Sequence, residues 1–363
     1  MSKGKVTVVL GGQVGSEGKG KFAGYIARKD RVAMSVCNFH PNAGHTWVDD
    51  KGNATMVQQL PQAVVNPNTI LLLSAGSAID VPTLMRELDV NDAHDRVLIH
   101  PRAMVIEDRH REEEAITMGR ISSTQKGCGS AGADKVRRSS DVTLARDHSS
   151  LMGMVGNTTT VINNAILDGK HVMVEVPQGF DLDINHGLEY PYCTSRQTTS
   201  TQAIADAGIA PQMVDEVIAV IRPYPIRVGN MYDENGNMTG YSGNYCDSEE
   251  ITWEIVAERS GTPIEEIREM TTVTKKLRRV FEPNFERLRE MVVVNGVTQI
   301  ALNFANYIDY SMLGKTEVED ITEKVWEFIF RVQEATQVPV TMIGTGARDC
   351  DIIDLRHMYG KRK

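Results

Sequence analysis

The stretch VTVVLGGQVGSEGKGK, Val6 to Lys21, constrains the fold more tightly than any other part of the chain. An apolar run from Val6 to Leu10 without the regular alternation of a half-exposed strand belongs in a sheet covered on both faces. Glycines follow at once, and the next segment, KGKFAGYIARK, is compatible with a helix. A buried strand, a glycine-rich turn and a helix in that order aim backbone N–H groups and a helix N-terminus at one point, which suits an anion. The spacing differs from the common phosphate loop GxxxxGK[ST]. Gln13 stands where the first glycine belongs, and Gly20 replaces the Ser or Thr that holds magnesium. A generic kinase or GTPase is disfavoured, and spacing alone leaves a purely structural turn open beside a phosphate cradle.

Similar apolar runs recur from Val32 to Val36 and at Thr69 (TILLLSAG), Arg96 (RVLIH), His171 (HVMVEV), Thr298 (TQIALNF) and Val338 (VPVTMIG). Between them, EDRHREEEAITMGR, EPNFERLREMVVVNG and TEKVWEFIFRVQEATQ repeat apolar residues at three- and four-residue spacing. This alternation predicts an α/β fold with a large, mostly parallel central sheet flanked by helices, whose ligands bind at the carboxyl ends of the strands. No linker or repeat divides the sequence, so residues 1–363 are expected to form a single domain with long active-site loops. SSTQKGCGSAGADK and MYDENGNMTGYSGN are expected to be loops, the first long enough to be functional.

Composition narrows the partner. A formal net charge of −9 argues against a surface that coats nucleic acid, and no apolar segment is long enough to span a bilayer. MSKGKVTVVLGG suits a first strand better than a cleavable signal. Five scattered cysteines without a CxxC pair indicate reduced thiols, with neither a disulfide framework nor a zinc site. The expectation is a cytoplasmic protein with a small-molecule partner. A second cluster, CNFHPNAGHTWVDD, puts Asn42, Gly44, His45 and Thr46 in a loop beside the glycine turn. There an imidazole can reach a substrate and titrate near neutrality.

Taken in order, GGQVGSEGKGK, NAGHT, ISSTQKGCGSAGADKVRR, PQGFDLDINHGLEYPYCTS, VTKKLRRV and GTGARD resemble the adenylosuccinate synthetases over most of the chain. That family phosphorylates the purine 6-oxygen with a nucleoside triphosphate and then displaces the phosphate with the amino group of aspartate. The resemblance implies a Mg2+-dependent ligase whose catalytic groups are Ser16, Lys19, His45 and Gln178. Lys19 matches the lysine that neutralises the transferring phosphoryl group, His45 a general acid, and Gln178 a glutamine beside the 6-position. Ser16 and the Gly44 carbonyl match the magnesium positions. It also implies donor contacts at Gly15, Ser16, Glu17, Gly18, Lys19, Gly20, Gly44, His45 and Thr46, with Asn303, Phe304, Asn306, Gly344, Thr345 and Gly346 around the base. The acceptor nucleotide is expected at Ser16, Asn42, Ser123, Thr124, Gln178, Thr194, Val228 and Gly229. Arg138 is expected to be lent by the second subunit of a homodimer. L-aspartate is expected at Val273, Thr274, Lys276 and Arg278, where Lys276 and Leu277 replace two arginines of the family pattern and weaken the bidentate geometry.

Two departures bear on the substrates. The family reads the guanine of GTP through TKLD, whose aspartate accepts from two donors. The matching NFAN, Asn303 to Asn306, has a carboxamide instead, which suits adenine and points to ATP or dATP. Phe304 is expected to supply a flat stacking surface. Ser16 replaces an aspartate that takes the N1 proton of IMP, and a hydroxyl of far higher pKa cannot be the same base. A shorter, neutral side chain makes room for a purine with both N1–H and a 2-amino group. This pairing resembles the bacteriophage members of the family that take dGMP, aspartate and ATP or dATP toward 2-aminoadenine nucleotides for phage DNA. An ordinary synthetase acting on IMP and a nucleotide-binding regulator without turnover remain the alternatives.

Overall fold

The computed structural model describes residues 3–270 and 277–359. One nine-stranded sheet organises it. Its strands are β1 (Val6–Gly11), β2 (Met34–Cys37), β3 (Ile70–Leu73), β4 (Val97–Ile99), β5 (Val172–Glu175), β6 (Glu216–Ile221), β7 (Gln299–Leu302), β8 (Val340–Gly344) and β9 (Ile352–Asp354). They lie in the order β9-β8-β7-β6-β1-β5-β2-β3-β4. Neighbours run parallel except β9, which is antiparallel to β8. The expected mostly parallel sheet is therefore present. The sequence runs singled out above omit β6 and β9, although EVIAVI is as apolar as the others.

β1 lies near the middle, and its residues face two separate cores. Val6, Val8 and Leu10 pack with residues of the helices Thr158–Leu167, Ser200–Ala207, Phe285–Asn295 and Glu323–Thr336. Val9 faces the other way, against Phe22 and Ile26 of helix α1 (Lys19–Lys29). Burial on both faces is why these strands read as apolar runs. The strand order diverges on either side of β1, so the crevice at its carboxyl end is the topological place for a ligand.

Two expectations for loops are corrected. Within SSTQKGCGSAGADK the chain forms a helix, Cys128–Arg137. Its composition is a poor helix signal, but the Glu114 carboxylate accepts from the N–H groups of Gly127, Gly129 and Ser130 and supplies the missing cap from outside the segment. MYDENGNMTGYSGN contains a short antiparallel hairpin, Met231–Tyr232 with Met238–Gly240. No helix among the described residues is long and apolar enough to cross a membrane.

Candidate active site

The loop after β1 turns through three positive φ angles, at Gly15 (86°), Ser16 (60°) and Gly18 (80°). Glycine bears that region freely and a short polar residue bears it at about 1–2 kcal/mol. The curl points the N–H groups of Gln13 and Gly15 inward, where Glu17 Oε1 accepts both, at 3.0 and 2.8 Å. The Glu17 side chain is fully buried, its Oε2 lacks a hydrogen-bond partner, and it lies 3.9 Å from Lys19 Nζ. Glycine is required around it: a Cβ on Gly11 would stand 2.5 Å from Glu17 Oε2, and one on Gly179 2.7 Å from Oε1. Lys19 donates to the Gln178 carbonyl at 2.5 Å. Burial lowers the Lys19 pKa, while Glu17 and then Glu175 act to raise it. A buried ammonium at the positive end of α1 is an anion site built from the chain's own charges.

Gly20, which breaks the usual phosphate-loop pattern, has a packing reason. A Cβ there would lie 2.7 Å from the Thr46 carbonyl oxygen, and one on Gly24, a turn later, 2.4 Å from Trp47 Cδ1. The two glycines let α1 lie directly on the strand His45–Val48. This close approach brings His45 to the side of Lys19. The His45 ring is buried and stacks on Phe39 with centroids 4.3 Å apart and planes 7° apart. Burial, and secondly Lys19, push its pKa down to about 3, so it is neutral at physiological pH.

Of the acceptor candidates, Gln178 touches Lys19 directly and carries Asn42 with it. Gln178, held at a φ of 57°, donates from Nε2 to Asn42 Oδ1 at 3.0 Å. Thr194 is anchored through its N–H to the Leu182 carbonyl at 2.8 Å. The turn bearing Ser123 and Thr124 leads into the helix Cys128–Arg137, whose Gly129 abuts Ser195: a Cβ there would lie 3.2 Å from Ser195 Cβ. Arg138 sits exposed at the end of that helix. Gly229, beside the exposed Val228, lines a cleft of about 560 Å³ with Asn230, Tyr232, Glu250, Leu277 and Arg279. Arg278, next in sequence to two of these, is partly buried, and that burial lowers its pKa. Val273, Thr274 and Lys276 lie outside the described residues.

At the donor end the residues divide into ties and surfaces. Asn303 donates to the Glu17 carbonyl at 3.0 Å. Its carboxamide fills the space a side chain would need on Gly18 or on Gly344, with 2.1 Å to a Cβ at either. Asn303 therefore braces the phosphate loop, while Asn306, one turn later, is half-buried. Phe304 adopts φ 60°, and its half-buried ring lies 4.3 Å from the Arg222 guanidinium and 5.1 Å, centre to centre, from the tilted Tyr307 ring. Thr345 is buried and donates to the Lys315 carbonyl at 2.7 Å. Gly346 and Asp351 offer carbonyls to Lys21 Nζ at 2.7 and 2.6 Å, and burial brings the Lys21 pKa down to about 7.

The site thus gathers the carboxyl ends of β1, β2, β5, β6, β7 and β8. An adenylosuccinate synthetase family model matches residues 8–145 and 142–312. The chain belongs to the adenylosuccinate synthetase family. As such it is a carbon–nitrogen ligase of purine nucleotide synthesis. It is 36% identical over 336 residues to the N6-succino-2-amino-2'-deoxyadenylate synthase of Acinetobacter phage SH-Ab 15497, covering 84% of each chain. It is 35% identical over 359 residues to the adenylosuccinate synthetase of Methanocaldococcus jannaschii, covering 97% of each. Among solved structures, the succinoaminodeoxyadenylate synthetase of cyanophage S-2L, bound to dGMP and dATP as an energy donor, matches with a TM-score of 0.83 and 30% identity. That match covers 98% of this chain and 96% of the other.

Within this synthetase fold, sequence reasoning missed Phe39, which stacks on the His45 ring, and Arg222, which follows strand β6. The rule that sites gather at strand ends would have found Arg222 once EVIAVI was read as a strand.

Proposed function

We infer that the enzyme condenses L-aspartate with the 6-position of dGMP, driven by ATP or dATP through a 6-phosphoryl intermediate, and releases ADP, phosphate and N6-succinyl-2-amino-2'-deoxyadenylate. The observation that carries this reading is Ser16. It is exposed at the lip of the cradle, where the family pattern has an aspartate, and its neutral side chain leaves N1–H and a 2-amino group unopposed by a carboxylate. The phage relatives, and the solved cyanophage enzyme with dGMP and dATP, support the same choice. Near-equal identity to an archaeal adenylosuccinate synthetase favours IMP as the second reading, so overall similarity does not decide the purine.

The chain's own groups suit the two steps. Lys19 supplies a desolvated positive charge where the phosphoryl group carries negative charge in transfer, and water exclusion strengthens that interaction. His45 meets the substrate neutral, with its ring held by Phe39, and an anionic phosphoryl group opposite it raises its proton affinity, as a general acid requires. Gln178, joined to Asn42, presents an amide beside the 6-position. The protein oxygens expected at magnesium, on Ser16 and Gly44, are neutral and exposed. They fit a Mg2+ that draws most of its ligands from substrate phosphates and water. Held there, Mg2+ would supply positive charge against the phosphate groups. The exposed Arg138 is offered to a second copy of the chain. For a phage-encoded enzyme the setting is the host cytoplasm.

The test crosses dGMP, GMP and IMP with ATP, dATP and GTP, always with aspartate and magnesium, and follows phosphate release and product mass. Turnover with dGMP and an adenine donor is expected, and Ser16→Asp is expected to shift kcat/KM toward IMP by tenfold or more. Activity confined to IMP and GTP would refute the reading.

A further inference from the structure

Arg222 follows β6 and is completely buried, with its guanidinium inside the molecule. A buried guanidinium is retained only where several partners need it, and here they come from three different segments of the site. NH1 donates to the Ser16 carbonyl at 3.0 Å. NH1 also lies 3.3 Å from Glu269 Oε2, and NH2 pairs with Glu269 Oε1. The guanidinium plane lies 4.3 Å from the centre of the Phe304 ring and 5.7 Å from that of Tyr307. The backbone is locked as well. Arg222 N–H donates to Gln13 Oε1 at 2.9 Å, and Gln13 Nε2 returns a hydrogen bond to the Arg222 carbonyl at 3.1 Å. Glu269 in turn accepts the Arg278 N–H on its own carbonyl at 2.9 Å.

Two residues joined by Arg222, Ser16 and Phe304, sit in the left-handed region at φ 60°. Each pays for that conformation with local strain and keeps it only because surrounding contacts over-determine it. Arg222 supplies one of those contacts to each, so a ligand that shifts the Phe304 ring also shifts the guanidinium that holds the Ser16 carbonyl. We propose that Arg222 is the positioning residue that links the acceptor-purine loop at Ser16 to the donor-base segment at Phe304, so that filling either nucleotide site tightens the other. The link rests on the functional reading above only for the identity of the two nucleotides.

The test is a binding cycle on the full-length chain. The affinity for dGMP, and in parallel for IMP, is measured by calorimetry with magnesium, with and without a non-hydrolysable ATP or GTP analogue. Wild type is expected to show an affinity gain of fivefold or more on adding the better donor, the same factor in both directions. In Arg222→Lys, which keeps the charge and loses the planar fork, the gain is expected to fall to less than twofold. Glu269→Gln, a milder change on a partly exposed partner, is expected to reduce it by an intermediate amount. Circular dichroism and melting curves establish that each variant is folded. If Arg222→Lys fails to fold, Glu269→Gln alone decides, and an unchanged factor in it overturns the proposal. No coupling in wild type, or full coupling in a folded Arg222→Lys, also overturns it. If IMP rather than dGMP is the nucleotide that binds, the functional reading fails while the coupling remains measurable.

Discussion

Glu17→Gln isolates one electrostatic term in the cradle. Both loop N–H groups go to a single carboxylate oxygen, Oε1, so the glutamine oxygen can accept the same two hydrogen bonds. The change falls on Oε2, which faces Lys19 Nζ at 3.9 Å with no other partner. At that distance and an effective dielectric of about 20, two unit charges attract by about 4 kcal/mol. Burial already lowers the Lys19 pKa, and Glu17 is the stronger of the two carboxylates that oppose the shift. Removing its charge lowers the Lys19 pKa further, so the ammonium is lost at a lower pH on the alkaline side. The new amide N–H group, buried without an acceptor, adds a stability cost of about 1–3 kcal/mol. The assay is kcat/KM for phosphate release from pH 6 to 9.5, which reports the free enzyme. The descending alkaline limb is expected to move at least one pH unit toward acid in Glu17→Gln, with activity recovering as pH falls. A variant whose limb stays in place, with only a uniform loss of rate, would show that Glu17 does not hold the Lys19 charge.

Gly20→Ser restores the hydroxyl of the common phosphate loop but places a Cβ 2.7 Å from the Thr46 carbonyl. It is expected to lower Tm and reduce kcat at least tenfold by pushing α1 off the strand that carries His45, as thermal melts and turnover will show. His45 gives a pH signature in stability. Its folded pKa of about 3 lies below the unfolded value near 6.5, so the unfolded chain takes the proton first and stability falls as pH drops from about 6.5 toward 3. The full term is on the order of 4–5 kcal/mol. Urea melts at pH 7, 5 and 4 are expected to show a shallower pH dependence in His45→Asn.

The sequence made the site's skeleton legible because β1 is buried on both faces and runs straight into glycines, and burial on two faces leaves a mostly apolar run. The helix Cys128–Arg137 was not legible, since its cap is a carboxylate on another helix, Glu114 of Asp108–Thr117, and no local pattern records a tertiary cap. The division of labour in NFAN was hidden for a related reason. Asn303 and Asn306 are the same residue type three positions apart, yet one faces Glu17, Gly18 and Gly344 and is used up as a brace, while the other is half-buried and takes no part in that brace. Residue type alone cannot separate a brace from a reader, because both need the same donors and acceptors. The same holds for Gly20. Read as a missing magnesium ligand it argues against nucleotide chemistry, whereas packed on Thr46 it is what permits His45 to stand beside Lys19. A departure from a motif therefore carries functional information only after the space its side chain would have occupied is known. By that criterion Ser16, exposed and held by its carbonyl rather than by its side chain, is the departure whose side chain the fold does not use, as the proposed selection of dGMP requires.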